Sequence, residues 1–209
     1  LPHTPHDPPG GLLAQYTALG LSNDDARYYA NIERFDGGVG AILDHLDSQG
    51  ITDETIVVMI CDNGRQYDLA TLGKLTPYET GVRTPIIIRW PDQIKPGGAI
   101  EPAFIRTPVD LTDLVPTVHA ALGIPKFPEM TGINLLDPAA VAARETVCGA
   151  DYDVEIRQLA NPWDALESRF AIKDGWKLIL YADGNKELFQ LYDRATGLPV
   201  DPHETNNVV

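Results

Sequence analysis

The sequence predicts an α/β fold: part of a mixed, mainly parallel sheet flanked by helices, followed by a small antiparallel C-terminal sheet. Three observations carry this expectation. An apolar stripe of helical period ends at Gly50 and runs straight into Thr55–Ile60, a continuous and largely β-branched run. Such a run, without polar alternation, is the pattern of a strand buried on both faces, and helix followed by buried strand is α/β grammar. A second run of the same kind, Pro85–Trp90, belongs to the same sheet, whereas beyond residue 145 short strands alternate with Asp-Gly turns.

Residues 1–21 carry Pro2, Pro5, Pro8, Pro9, Gly10 and Gly11, which predicts an ordered loop or connector. Ser22 or Asn23 caps the first helix, with Asp24 and Asp25 in its first turn, where carboxylates suit the helix dipole. Tyr29, Ile32, Phe35, Val39, Ile42, Leu43 and Leu46 form one stripe. Gly37, Gly38 and Gly40 interrupt it, each at a cost of about 1 kcal/mol relative to Ala, and close packing of that face on a sheet accounts for them. The segment 62–84 is a long polar loop of the kind that usually serves function. A helix spans about 112–122, with Pro116 in its first turn and Gly123 as its stop. Glu145–Gly149 reads as a strand. Arg169–Lys173 and Trp176–Tyr181 flank Asp174-Gly175 as a hairpin, and Glu187–Tyr192 follows the Asp183-Gly184 turn. The domain expectation is 1–144 for the α/β part and 145–209 for the antiparallel part.

Thirty Asp and Glu against sixteen Lys and Arg give a formal charge of −14 over 209 residues. That field repels nucleic-acid phosphates and anionic membrane surfaces, so neither is expected as a partner. No apolar run approaches the ~20 residues of a membrane span. Two cysteines, Cys61 and Cys148, make no disulfide framework. The chain opens on Leu1-Pro2-His3, without Met or a charged n-region, and reads as part of a longer product.

Asp62-Asn63-Gly64 follows the first buried strand, where open α/β sheets place their ligands. A carboxylate and an amide oxygen are hard donors suited to Ca²⁺ or Mg²⁺; Asn-Gly is equally a turn dipeptide. In the same loop Lys74 is placed to hold an anionic oxygen as a point charge, with Arg83 fixing the loop through Glu79 or a carbonyl. The alternative is two solvated cations. His3 and His6 offer imidazole donors near the start, or are simply exposed. His119 reads as structural and His45 as surface.

Five stretches, in this order, resemble the carboxy-terminal half of sulfatases, in the alkaline phosphatase superfamily. They are PHTPHDPP at 2–9, YYANIERFDGGVGAILDHLDSQGITDETIVVMICDNG at 28–64, GKLTPYETGVRTPIIIRWPDQIKPG at 73–97, VDLTDLVPTVHAALGIP at 109–125 and LYDRATGLPVDPHETNNV at 191–208. The resemblance implies metal ligation by Asp62 and Asn63 and sulfate contacts from Lys74 and His3. It implies hydrolysis of sulfate esters with Ca²⁺ or Mg²⁺ and a formylglycine nucleophile, and a periplasmic or secreted location.

Four departures qualify it. Cys61 stands where the family has Ser or Thr, and Leu75 and Thr80 replace frequent glycines. The nucleophile motif C/S-x-P/A-x-R is absent from these residues: Cys61 precedes Arg65 by four but has Asn63 at the Pro/Ala position, and Cys148 has Ala150 but Tyr152 in place of Arg. The family's paired metal-binding aspartates are missing too. The expectation is therefore a sulfatase fragment, inactive by itself and binding metal weakly or not at all, which pairs with a missing N-terminal half or self-associates. Two other readings remain open: a phosphodiester or phosphonate monoester hydrolase of the same superfamily, and a non-catalytic binding module that keeps the fold.

Overall fold

The computed structural model describes residues 3–64, 73–103, 106–153 and 160–209. Pro2 of the opening motif, Arg65 and the 65–72 portion of the 62–84 loop lie outside the described residues. The elements run α1 (Gly10–Ala18), α2 (Asn23–Gln49), β1 (Val57–Ile60), α3 (Glu79–Val82), β2 (Ile86–Arg89), α4 (Leu114–Ala121), α5 (Pro138–Ala142), β3 (Thr146–Tyr152), β4 (Leu166–Lys173), β5 (Trp176–Tyr181) and β6 (Lys186–Gln190). β1 pairs with β2, and the other four strands form a sheet in the order β3-β4-β5-β6, antiparallel throughout. The α/β class and the small antiparallel C-terminal sheet are as the sequence predicts.

By compactness the chain divides into residues 1–58 with 88–101, and 59–87 with 102–209. In the first unit, α1 corrects the expectation of a loop over 1–21. Its prolines all precede the first turn, Pro9 being the residue before it, so none of them removes a helical hydrogen bond. Tyr16 stacks on Tyr29 of α2 at 6.1 Å between ring centroids. α2 begins and ends where predicted. The Ser22 hydroxyl oxygen accepts from the Asp25 N–H at 3.1 Å, and Gly50 closes the helix at φ 69°, a conformation glycine adopts at no steric cost. Ala26 and Ala30 are buried, but Ile42, on the apolar stripe, is 60% exposed. Among the described residues a Cβ on Gly37, Gly38 or Gly40 would meet nothing within 4 Å, so close packing among them does not explain these glycines.

The second unit holds the C-terminal sheet. Asp174 and Gly175 both take positive φ, 54° and 84°, the two left-handed residues that a tight hairpin turn requires. The register pairs Ser168 with Tyr181, Phe170 with Ile179 and Ile172 with Lys177, which puts all six side chains on one face. Ile172, Ile179, Phe189 and Leu191 form the core there, with Tyr78, Phe170, Tyr181 and Tyr192 packed against it. Gly149 is obligatory under this layer, because a Cβ would lie 2.3 Å from the Phe170 ring. α4 follows a single 3₁₀ turn, Leu111–Asp113, and Gly123 (φ 67°) ends it. Pro116 sits in its first turn, where no helical N–H is missed. The fully buried Asp113 organises this corner: its carboxylate accepts from the Asp110 N–H at 2.8 Å, the Ile133 N–H at 2.7 Å and the Arg144 guanidinium.

Candidate functional site

The turn after β1 is folded on its own backbone. The Cys61 thiol donates to the Asn63 carbonyl at 3.0 Å, and the Asn63 N–H donates to Asp62 Oδ1 at 3.0 Å. Asn63 Nδ2 donates to the Gly64 carbonyl at 2.8 Å, which leaves the amide Oδ1 as the side chain's oxygen for a cation. Asp62 is exposed, Asn63 half-buried. Cys61 thus performs, through sulfur, a hydrogen bond that a Ser or Thr hydroxyl could also make.

Gly81, the third residue of α3, joins this turn to the Lys74 loop. The Gly64 N–H donates to the Gly81 carbonyl at 2.7 Å. A Cβ on Gly64 would fall 1.8 Å from the Thr80 carbonyl oxygen. On its other side, a Cβ on Gly81 would fall 2.4 Å from the Gly73 carbonyl oxygen and 2.5 Å from that of Thr76. Gly73 immediately precedes Lys74, and the Thr76 hydroxyl donates to the Gly73 carbonyl at 2.6 Å. Asp62, Asn63 and Lys74 are therefore held by one knot of backbone that only glycines fit. Lys74 is half-buried. Leu75, where the family often has glycine, sits at φ 69°, a strained position for a side-chain-bearing residue that costs about 1–2 kcal/mol.

Behind the knot lies a charge cluster that sequence reasoning missed. Lys177 is fully buried, with its Nζ 3.1 Å from Glu79 Oε1, 3.0 Å from Glu204 Oε1 and 5.0 Å from the Phe170 ring centre. The Glu204 contact is an ion pair by distance, without hydrogen-bond alignment. The other oxygen of Glu204, Oε2, accepts from the Glu79 N–H. Glu79 is thus engaged by Lys177, which takes the loop-fixing role that the sequence suggested for Arg83; Arg83 is exposed. The signal was present: in Trp176–Tyr181 an alternating strand points Lys177 the same way as Ile179 and Tyr181. Beside it, the Tyr78 hydroxyl donates to Glu187 Oε2 at 2.7 Å and lies 2.9 Å from the Tyr181 hydroxyl. Burial is the main reason both phenols are pushed above their ordinary value.

His3 belongs to the first unit; it is exposed, with Nδ1 2.7 Å from the Thr4 carbonyl oxygen. The segment that follows it is pinned to α2, where Arg27 Nη1 donates to the His6 carbonyl at 2.7 Å. His119 Nδ1 lies 3.1 Å from the Pro125 carbonyl oxygen, with its ring edge-on to Phe127, a packing role. His45 is exposed.

Asp62 and Asn63 carry side-chain oxygens of the kind calcium and magnesium take, and fit such an ion in type. They are too few for a shell of about six to eight oxygens. Among the described residues no group of three or more His, Cys, Asp or Glu side chains gathers as a metal site.

The sequence model of the family described as Sulfatase matches residues 2–124, and the one described as N-sulphoglucosamine sulphohydrolase, C-terminal, matches residues 70–209. Arylsulfatase K of Xenopus laevis is 29% identical over 200 residues, covering 93% of this chain and 35% of that protein. The chain thus spans about a third of the length of that curated relative. Among solved structures, a protein described under metabolism of multiple glycosaminoglycans by Bacteroides thetaiotaomicron superposes with a TM-score of 0.74 at 22% identity, over all of this chain and 48% of that one. The phosphonate monoester hydrolase of Agrobacterium radiobacter superposes at 0.62 with 20% identity, over 89% of this chain and 37% of its own. Likeness at such identity shows the fold, while the two family matches together run from residue 2 to residue 209. The chain belongs to the sulfatase family, and with it to the alkaline phosphatase superfamily.

Proposed function

We propose that this chain supplies the cation-binding and sulfate-binding end of an active centre that hydrolyses sulfate esters. Asp62 and Asn63 donate oxygens to a divalent cation, calcium or magnesium, and Lys74 and His3 contact the sulfate. The observation that supports this reading is the double engagement of Gly81, with the Asp62–Gly64 turn on one side and the Lys74 loop on the other. The bound cation offsets the negative charge of the sulfate oxygens. Lys74 does the same with a fixed ammonium, and a charge already in place needs no reorganisation as the transition state forms. The nucleophile comes from sequence outside these 209 residues, on the same polypeptide or a partner chain, since the C/S-x-P/A-x-R pattern does not occur within them. Such a partner, or a second copy of this chain, would also cover the exposed Ile42, Ile60 and Ile87. A location outside the cytoplasm accords with the family.

The test is an assay of the complete polypeptide on 4-nitrophenyl sulfate, beside an aryl phosphodiester and an aryl phosphonate monoester. Sulfate ester is the expected substrate, with kcat/KM lowered about a hundredfold or more in Lys74→Ala. Asp62→Ala should lose both activity and calcium binding by calorimetry. Preference for either phosphorus ester would move the chain to the phosphodiester or phosphonate hydrolases. Folded protein with no turnover of any of the three would leave a binding module.

A further inference from the structure

Asn63-Gly64 is the one place among these 209 residues where asparagine precedes glycine. In such a pair the glycine nitrogen can attack the asparagine side-chain amide, because no Cβ on the glycine hinders closure of the five-membered ring. The fold leaves no other choice at 64. A Cβ there would fall 1.8 Å from the Thr80 carbonyl oxygen. The successor that most favours the reaction is therefore the one residue the turn accepts.

The peptide unit that joins the two residues is fixed at both ends. Its oxygen, the Asn63 carbonyl, accepts from the Cys61 thiol at 3.0 Å, and its Gly64 N–H donates to the Gly81 carbonyl at 2.7 Å. Ring closure needs the Gly64 nitrogen without its proton and this peptide plane turned toward the Asn63 Cγ. Both hydrogen bonds oppose that. The side chain is committed as well, with Nδ2 donating to the Gly64 carbonyl at 2.8 Å, while the Asn63 N–H donates to Asp62 Oδ1 at 3.0 Å. Asn63 and Gly64 are half-buried, so water does not fully replace the hydrogen bonds that turning would break.

We propose that Asn63 is a latent modification site, kept closed by Gly81 and Cys61, which deamidates when this turn opens. On opening, a bond forms between the Gly64 nitrogen and the Asn63 Cγ. The Cγ–Nδ2 bond breaks, and ammonia leaves with the proton of the Gly64 amide. Water then cleaves the cyclic imide at one of its two carbonyls, which puts aspartate or isoaspartate at 63. Isoaspartate carries the main chain through its side-chain methylene, one atom longer than before, so the Gly64–Gly81 hydrogen bond does not re-form. Each opening that reacts is thereby recorded irreversibly, beside Asp62. This inference stands on the backbone geometry and is independent of the sulfate-ester reading.

The complete polypeptide is incubated folded and in concentrated urea, and conversion of each asparagine within these residues is followed by peptide mass spectrometry. In urea Asn63 should convert faster than the others. In the folded protein it should convert about a hundredfold or more slowly than in urea, since reaction then waits on local opening. Exchange of the Gly64 amide hydrogen, read by hydrogen-exchange mass spectrometry, reports that opening directly. Cys61→Ala should speed both exchange and deamidation of the folded protein about fivefold, the effect of one hydrogen bond. Cys61→Ser keeps a donor and should return both toward the parent rates. If Cys61→Ala does not fold, the parent in urea below its midpoint serves instead, and the two rates should rise together. Asn63 converting as fast folded as unfolded overturns the proposal, as does faster Gly64 exchange without faster deamidation. An Asn63 slower than the other asparagines in urea overturns it too.

Discussion

Lys177 Nζ lies 3.0 Å from Glu204 Oε1, a fully buried cation against a nearly buried carboxylate, joining the C-terminal sheet to the chain's last segment. Glu79 completes the cluster at 3.1 Å and carries it to α3, whose third residue, Gly81, holds the candidate site. Removing one member of a buried ion cluster leaves uncompensated charge. Lys177→Met should therefore cost about 3–5 kcal/mol, read as a lower urea midpoint. Adding Glu79→Gln and Glu204→Gln to that variant should recover much of the loss, because the desolvated charges are then gone. A Lys177→Met protein as stable as its parent would show that the cluster does not hold α3.

The same cluster sets a pH dependence. Burial is the main cause raising the Glu204 carboxyl above its ordinary 4.5, against the opposing pull of Lys177 and of the Glu79 N–H. A carboxyl with a raised folded-state pKa keeps its proton more tightly when folded. Its contribution to stability is complete below 4.5 and is lost as pH rises through the folded value. Glu204→Gln lacks this loss. Its urea midpoint, measured against the parent at each pH, should climb relative to the parent as pH is raised above 4.5. A difference that stays flat or runs the other way would show that Lys177 outweighs burial.

Much of this was legible in the sequence because local signals and packing agreed. Ser22 and Gly50 bound α2 as caps, and Asp174-Gly175 sets the hairpin because two adjacent residues take positive φ. The charge cluster was not legible from periodicity alone. Lys177 looks like a solvent-facing lysine until its strand neighbours place it beside Ile179, and its partners Glu79 and Glu204 are 98 residues before it and 27 after it in sequence. α1 was missed because prolines before a helix read like prolines in a loop. The Asp62-Asn63 pair was visible as chemistry, but its attachment to Gly81 is a tertiary contact that no spacing rule reports.

Gly81 gives the sharpest test of the site's construction. Alanine there would bring its Cβ to 2.4 Å from the Gly73 oxygen and 2.5 Å from the Thr76 oxygen, all backbone atoms with little room to yield. Gly81→Ala should destabilise by about 1–3 kcal/mol and lower kcat/KM on 4-nitrophenyl sulfate by more than that loss of folded protein explains. Gly64→Ala, aimed at the Thr80 oxygen at 1.8 Å, should behave alike. Wild-type kinetics in either variant would detach the Asp62–Gly64 turn from the Lys74 loop.

The glycines of α2 should respond in the opposite sense. Gly37, Gly38 and Gly40 lie in the middle of a 27-residue helix, and a methyl group on any of them meets nothing within 4 Å among the described residues. Glycine in a helix interior costs about 0.5–1 kcal/mol relative to alanine, through the backbone freedom it loses on folding. In the 209-residue chain, Gly38→Ala should thus raise the urea midpoint. The proposed function adds a second arm: if further polypeptide packs on this helix in the complete enzyme, the methyl group would meet it there. The same substitution would then stabilise the isolated chain and destabilise the complete protein. Stabilisation in both contexts would mean that the glycine face of α2 stays open in the complete enzyme.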